Sequence, residues 1–473
     1  MARRGEVMAD LTKYHDIIAS KRVAFIGGGL DRVPNLNTAM FPHQAHATEF
    51  ALRKGRAALF LDTGLGKSLC ALDWGRVVVE ETNKPVLMLA PLAVAQQHQR
   101  EAERFGIDAM VVRSGDEIGA KRIYITNYDR LDKFDTDRFG GIILDESSIL
   151  KSFTGKTTRK LIDAFSKTRF RLCCTATPAP NDHTELGTHA EFLGVMRREE
   201  MLPIWFINDT ADTGTWRIKG HARENFWSWV ASWARCVSRP SDLGFDDGGF
   251  ALPDLTITHH EVIADRSGAA GSEKDGQARL FRIPDTSATS IHHEKRLTIS
   301  QRAERVAELI AAEPDEPWIV WVDTDYEADA VMACLPDAVE VRGSQSPEEK
   351  ERRLVSFSEG RTRIIVTKAK IAGYGLNWQH CSRQCFAGIS FSYEAFYQAI
   401  RRSWRFGQKR PVQVHVVCAD TERAIWAVVE RKQGDHDVMK REMVAAMRRS
   451  MNEEKSRKIY QPNKEGALPA WLS

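Results

Sequence analysis

The segment Leu61-Asp62-Thr63-Gly64-Leu65-Gly66-Lys67-Ser68 joins two glycines, a lysine and a hydroxyl in an order that suits phosphate binding. It follows an apolar run and opens a stretch rich in Leu and Ala, so a strand-to-helix turn is expected there. Such a turn aims unpaired backbone N–H groups and the positive end of a helix at one point. Gly64 and Gly66 let the backbone approach an anion, Lys67 offsets the charge of the β- and γ-phosphates, and Ser68 offers a hydroxyl to Mg²⁺. Thr63 and Leu65 complete the loop, although the strict phosphate-loop pattern wants glycine where Leu61 stands. A second constellation is Gly141-Ile142-Ile143-Leu144-Asp145-Glu146, an apolar run that ends in adjacent carboxylates. Asp145 suits a Mg²⁺ partner, and Glu146 suits a base that orients and deprotonates water. By itself an Asp-Glu pair is most often a solvated turn. Its place at a strand end, several strands after Lys67, gives it weight, because open α/β sheets bind ligands at the carboxyl ends of their strands. A third group is Arg401-Arg402-Ser403-Trp404-Arg405. Arg402 and Arg405, three apart, share a helix face and could reach one phosphate together. The plain alternative is an arginine-rich face turned to water.

These residues need elements to carry them. From about residue 41 to 195, short apolar runs alternate with helical stretches: Ala57–Leu61, Pro85–Ala90, Ala109–Val112, Arg122–Thr126, Gly141–Asp145 and Phe170–Thr175. From about 316 the rhythm returns, with Trp318–Val322, Val339–Val341, Arg363–Thr367, Cys385–Ile389 and Val412–Val417. That pattern predicts an α/β protein with two lobes, each a parallel sheet flanked by helices. The expected division is an extension over 1–40, a first lobe over 41–195, a mainly helical insertion and linker over 196–315, a second lobe over 316–435, and a helical C-terminal tail over 436–473. In the insertion, Phe226, Trp229, Val230, Trp233 and Val237 recur at helical spacing and read as a core stripe. The polar, Gly-rich Arg266–Gly276 reads as a linker, and Gly27 to Gly29 as a turn.

At 473 residues the chain is too long for one hydrophobic core. No apolar run approaches the roughly 20 residues that span a bilayer. The start of the chain lacks the apolar core of a signal peptide, so no membrane is expected and cytoplasm is the default compartment. Eight cysteines in so long a chain imply no disulfide framework. Cys70, Cys173 and Cys174 read as small buried hydrophobes. Cys381 and Cys385 with His380 approach metal-ligand spacing but have no second pair. A net charge of +3 by itself implies no nucleic acid. The basic residues are nonetheless clustered at Arg401, Arg402, Arg405, Lys409 and Arg410, and clustering is what forms a phosphate-binding surface. The later Lys440, Arg441, Arg448 and Arg449 read as a solvated helical face.

With these motifs placed, residues 41–435 resemble the Swi/Snf-like group of superfamily 2, and in detail the compact DEAD/DEAH-type helicases of bacteriophages and prophages. Helicase-like ATPases commonly carry the Thr-Gly-x-Gly-Lys-Ser form of the phosphate loop seen here. Phe41-Pro42-His43-Gln44 resembles the adenine-reading glutamine motif. Ala90-Pro91-Leu92 and Ile125-Thr126-Asn127-Tyr128 resemble strand-contact motifs of the first lobe. Asp145-Glu146-Ser147-Ser148 stands where the family has Asp-Glu-x-His. Thr175-Ala176-Thr177-Pro178-Ala179-Pro180-Asn181, with Glu185-Leu186 and Phe192-Leu193 after it, resembles the third motif. Ala372-Gly373-Tyr374-Gly375-Leu376-Asn377 and the stretch from Gln398 to Gln408 resemble the fifth and sixth.

The resemblance implies two tandem RecA-like lobes and hydrolysis of ATP with Mg²⁺ between them. It implies nucleotide contacts at Gln44, the 63–68 loop and Gly375, with Arg402 and Arg405 supplied across the cleft. Coupling falls to Thr175, Thr177 and Gln398, and nucleic-acid contacts to Pro91, Thr126, Asn127, Gly343, Thr367 and Asn377. The implied activity is a DNA helicase or translocase of phage or prophage origin, with replication or recombination proteins as possible partners. The competing expectations are the motor subunit of a restriction or defence system, a nucleotide-gated remodeller of proteins on duplex DNA, and an ATPase indifferent to nucleic acid.

Overall fold

The computed structural model describes residues 24–91, 94–208, 216–264, 295–372 and 377–459. The expected linker at 266–276 and the final residues from 460 lie outside the described residues. Two fully parallel sheets organise the chain. The first contains β1 (Arg56–Leu61), β2 (Val86–Ala90), β3 (Ala109–Val111), β4 (Ile123–Asn127), β5 (Gly141–Asp145), β6 (Phe170–Cys174) and β9 (Ala234–Val237). Its order is β3-β4-β2-β5-β6-β1-β9. β7 (Phe206–Asn208) and β8 (Trp216–Ile218) form a separate antiparallel pair. The second sheet contains β10 (Leu255–Val262), β11 (Trp318–Val322), β12 (Val339–Val341), β13 (Ile364–Lys368), β14 (Arg383–Phe386) and β15 (Val412–Ala419). Its order is β10-β15-β14-β11-β13-β12.

Every residue of β2, β4, β5, β6 and β11 is buried, as expected of parallel strands covered on both faces. Alternation sorts the side chains of the second sheet. Ile319, Trp321, Ile365 and Val414 join one core cluster, while Trp318, Val320, Ile364 and Val366 join the other. All eleven apolar runs read from the sequence are strands, with ends shifted by at most a few residues.

The segment expected as an insertion is more sheet-bound than its composition suggests. β9 pairs with β1 at the edge of the first sheet, and β10 pairs along its whole length with β15 in the second. Both strands lie within 196–315, so the two sheets draw strands from beyond the ranges expected for the lobes. Immediately before β9, the helix Arg223–Trp233 buries Phe226, Trp229, Val230 and Trp233 in the first core, whereas Val237, expected on the same helical stripe, belongs to the strand β9.

The C-terminal helix is continuous from Arg423 to Ile459, so nothing in the backbone interrupts it at the expected 435/436 boundary. Ile425 and Val429 pack into a core of the second lobe, and Met439, Met443, Ala446 and Met447 into the core of the first. The expectation of a solvated basic face fails for Lys440, whose ammonium meets Asp62 at 3.1 Å with only 14% of its side chain exposed. Helical spacing puts Lys440 beside the buried methionines, and it points inward where a carboxylate awaits it. Arg448 is exposed as expected, although it also donates to the Ser241 carbonyl at 2.8 Å.

The Cys381 thiol donates to the carbonyls of Pro317 and Arg383, and Cys385 is a core residue. Among the described residues no group of three or more potential ligands is placed to hold a metal ion, and no helix is long and apolar enough to cross a membrane.

Candidate functional site

The turn after β1 carries the first half of the site. Gly64 and Gly66 both take positive φ, 91° and 80°, which a side chain would strain. Space is also short: a Cβ on Gly66 would lie 2.2 Å from Gln44 Nε2, and one on Gly64 2.8 Å from the backbone nitrogen of Phe406. The loop then enters the helix Lys67–Thr82. Gln44 is tied to this loop, since its Nε2 donates to the Leu65 carbonyl at 3.0 Å while its Oε1 accepts from Phe41 N at 3.0 Å. Lys67 Nζ donates to the Leu61 carbonyl at 2.9 Å. Burial lowers the affinity of Lys67 for its proton, against the pull of Glu146, Asp62 and Asp145.

The second half lies at the end of β5. Glu146 has φ 52°, and the turn Ser147–Lys151 begins there. Burial pushes the Glu146 carboxyl up to about 7; Lys67 opposes this, and Asp145 and Glu394 add to it. Thr175 Oγ1 donates to Glu146 Oε2 at 3.3 Å and accepts from Thr177 N at 3.1 Å, so the third motif touches the carboxylate directly. His98, on the helix Ala95–Arg104, sits 2.8 Å from Asp145 Oδ2. Burial disfavours a charged His98, but Asp145 overrides it and raises the imidazole above its ordinary value.

The second lobe closes the site. A cleft of about 680 Å³ is lined by Gln44, Thr63, Gly64, Gly66, Lys67, Ser68, Asp145 and Glu146 on one side and by Asn377, Arg402, Arg405 and Phe406 on the other. This is an ordinary size for a small-molecule site. Arg402 Nη2 donates to Gln398 Oε1 at 3.1 Å, so the glutamine expected to couple the lobes holds an arginine of the cleft. At one end Phe250 stacks on Phe406 with centroids 4.4 Å apart, and Phe41 meets Phe250 edge-on at 5.0 Å.

Below the cleft Asp62 is gripped by three groups. Arg401 Nη2 lies 2.7 Å from Oδ1, Lys440 Nζ 3.1 Å from Oδ2, and the Tyr397 hydroxyl donates to Oδ1. Burial alone would raise the Asp62 carboxyl, yet Arg401 and Lys440 hold it well below the usual carboxylate range.

The structure thus brings Lys67, Ser68, Asp145, Glu146, Arg402, Arg405, Gln44 and Thr63 to one place, with Thr175, Thr177 and Gln398 packed around it. Gly375 lies outside the described residues. Several residues expected to meet nucleic acid lie elsewhere. Thr126 and Thr367 are buried within their sheets, and the Thr367 hydroxyl donates to the Val341 carbonyl at 3.1 Å. Their side chains have no surface because both faces of each parallel sheet are covered. Asn377 lines the nucleotide-sized cleft, and Gly343 is exposed in the loop after β12. Pro91 and Asn127 line a separate cavity of about 380 Å³. Sequence reasoning missed His98, Phe250, Tyr397 and Arg401 as members of the site. Arg401 alone carried a signal, as one of the clustered cations.

Two parallel-sheet lobes, with a phosphate-binding turn on one facing arginines on the other, define a two-lobed nucleoside triphosphatase. Residues 37–180 match the family model described as "Type III restriction enzyme, res subunit", and 301–407 match "Helicase conserved C-terminal domain". The p41 protein of Acyrthosiphon pisum secondary endosymbiont phage 1 is 32% identical, over 83% of this chain and 95% of its own length. The DNA annealing helicase and endonuclease ZRANB3 of Mus musculus is 24% identical over 85% of this chain. The chain spans only 41% of that relative's length. Among solved structures, the Sulfolobus solfataricus SWI2/SNF2 ATPase core in complex with dsDNA covers 90% of this chain and 98% of its own, at 16% identity and a TM-score of 0.41. The chain belongs with the phage p41 protein in one family, and its two lobes carry the paired domains of helicase-type ATPases.

Proposed function

We propose that the protein is an ATP-driven motor that moves along double-stranded DNA. The observation that carries this reading is the cleft itself, with Lys67, Ser68, Asp145 and Glu146 on one lobe and Arg402 and Arg405 on the other. The triphosphate fits against the 63–68 loop, where Lys67 exchanges the Leu61 carbonyl for phosphate oxygens. Ser68 and Asp145 would hold Mg²⁺: a hydroxyl and a carboxylate are the hard oxygen donors that share this ion with phosphates. When bound, the ion neutralises charge on the β- and γ-phosphates. Glu146, with a carboxyl near 7, is placed to take the proton of the attacking water. Arg402 and Arg405 stabilise the charge that develops, an effect of about 10³-fold or more in related chemistry. Phe41, Phe250 and Phe406 offer the base an aromatic wall.

Because the γ-phosphate bridges the two lobes, binding favours closure and hydrolysis relaxes it. DNA as the track is supported by the mouse relative, by name a DNA annealing helicase. The working boundaries are a first lobe of 41–195 extended by β9 and a second of 316–435 extended by β10. A bacterial cell that hosts a phage is the proposed setting, with replication or recombination proteins as partners.

Purified protein is expected to hydrolyse ATP faster with duplex DNA, and Lys67→Ala and Glu146→Gln are expected to abolish turnover while circular dichroism stays unchanged. Undiminished turnover in either variant would overturn the site. Triplex displacement without strand displacement is the expected result for a duplex translocase. ATPase rates indifferent to DNA would exclude the motor.

A further inference from the structure

Glu394 lies in the first turn of the helix Tyr393–Ile400, on the second lobe, yet both of its carboxylate oxygens are used by the first. Ser148 Oγ donates to Oε1 at 2.5 Å, and Lys151 Nζ lies 2.5 Å from Oε2. Ser148 stands two residues beyond Glu146 in the turn Ser147–Lys151. All four residues line the 380 Å³ cavity whose rim is made by Ala90, Pro91, Asn127 and Tyr128, at the ends of β2 and β4. The cavity therefore touches the catalytic carboxylate on one side and the outer ends of the first sheet on the other.

The chemistry of this contact is that of an anion held by a hydroxyl and an ammonium. Those donors suit a phosphodiester oxygen as well as they suit a carboxylate. Accessibility differs between the partners: the Lys151 side chain is 41% exposed and that of Glu394 only 8%. Solvent can reach the ammonium, but Glu394 leaves only if another anion replaces it or the lobes part. Glu394 is also one helical turn before Gln398, which holds Arg402. Displacing Glu394 thus acts on the element that sets an arginine of the cleft.

We propose that Ser148 and Lys151 form a subsite for a nucleic-acid phosphate that Glu394 occupies when the track is absent, so that arrival of the track releases the helix carrying Gln398 and resets Arg402 within the cleft. The inference rests on the motor reading above and adds Glu394 as a positioning residue that acts through Gln398 and Arg402.

The test measures ATP turnover of the full chain with and without a short blunt DNA duplex. Glu394→Ala is expected to raise duplex-free turnover by about 5-fold or more, the lower end of ordinary coupling between sites. It should also lower the duplex concentration that gives half-maximal stimulation, because the competing carboxylate is gone. Lys151→Ala breaks the same ion pair and should raise duplex-free turnover too, but it removes a phosphate donor and should raise the half-maximal concentration. A merely structural contact would move both variants the same way. The near-isosteric Glu394→Gln, which keeps a bond to Ser148 and loses the charge, should fall between Glu394→Ala and wild type, and it covers the case in which Glu394→Ala misfolds. Half-maximal concentrations that shift together, or duplex-free turnover at or below wild type in Glu394→Gln, would overturn the subsite. If wild-type turnover ignores every nucleic acid, the motor reading itself fails and the subsite with it. Stimulated wild type with unaltered variants removes the subsite alone.

Discussion

Glu146 holds a left-handed backbone, φ 52°, that non-glycine residues seldom adopt. Such strain persists only where the surroundings fix it, and here it turns a carboxylate from the end of β5 into the cleft. Burial raises that carboxyl to about 7, and a base works only without its proton. For free enzyme the consequence has a definite sign: kcat/KM should rise about tenfold per pH unit below 7 and level off above it. A pH–rate series at low ATP checks this, and a flat profile between pH 5.5 and 7 (on the order of the range that burial moves) would remove Glu146 as the base. At this scale the sequence was informative where several chemical types fell in one short run, as in 62–68 and 141–146. His98 escaped notice because a single histidine on a polar helix has no such context. Only folding brings it to Asp145. Phe250 escaped for the same reason, since its partners Phe41 and Phe406 are more than 150 positions away in one case and more than 200 in the other.

Elements were legible according to how they are buried. The central strands read as apolar runs because both faces of a parallel sheet are covered. β10 did not, since it is an edge strand with exposed positions and includes His259, His260 and Glu261. β9 is only four residues long and contains Arg235, whose guanidinium lies over the Phe50 ring at 3.4 Å. Its Val237 also falls at helical spacing with Phe226 and Trp233, which draws the run into the helix before it. The node at Asp62 ties three elements: the turn after β1, the helix Tyr393–Ile400 with the turn after it, and the C-terminal helix. Lys440→Met keeps the packing of the stem and removes the charge. Because Asp62 retains Arg401, the expected loss is about 2 kcal/mol, toward the lower part of the range for a hydrogen bond to a charged group. Urea unfolding at neutral pH measures it. A loss too small to resolve would mean that Arg401 alone satisfies Asp62.

For the whole molecule, the two lobes share a structural member. The helix Arg423–Ile459 enters the second lobe's core through Ile425 and Val429 and the first lobe's core through Met439, Met443, Ala446 and Met447. A chain whose halves are joined through both cores is expected to unfold in one calorimetric transition. Met443→Ala, which opens a cavity at about 2–5 kcal/mol, should loosen the join and split that transition in two. Two resolved transitions in the unaltered protein would show that the join carries little stability. The two-lobe plan was readable from the repeated rhythm of apolar runs. This join was not, because a charged helical tail gives no sign of which surface it will lie against.

From Ile425 to Met447 the helix rises about 33 Å, at roughly 1.5 Å per residue. A shaft of that length, seated in bearings at both ends, opposes a wide swing of the halves apart like a book. The motion it leaves open is a roll about its own axis, with the first lobe turning on a sleeve of methionines. Thioether side chains have no branch and many rotamers, so they can be reseated repeatedly at small cost. Any such twist is limited both by the reach of three flexible side chains and by the Lys440–Asp62 ion pair set among them.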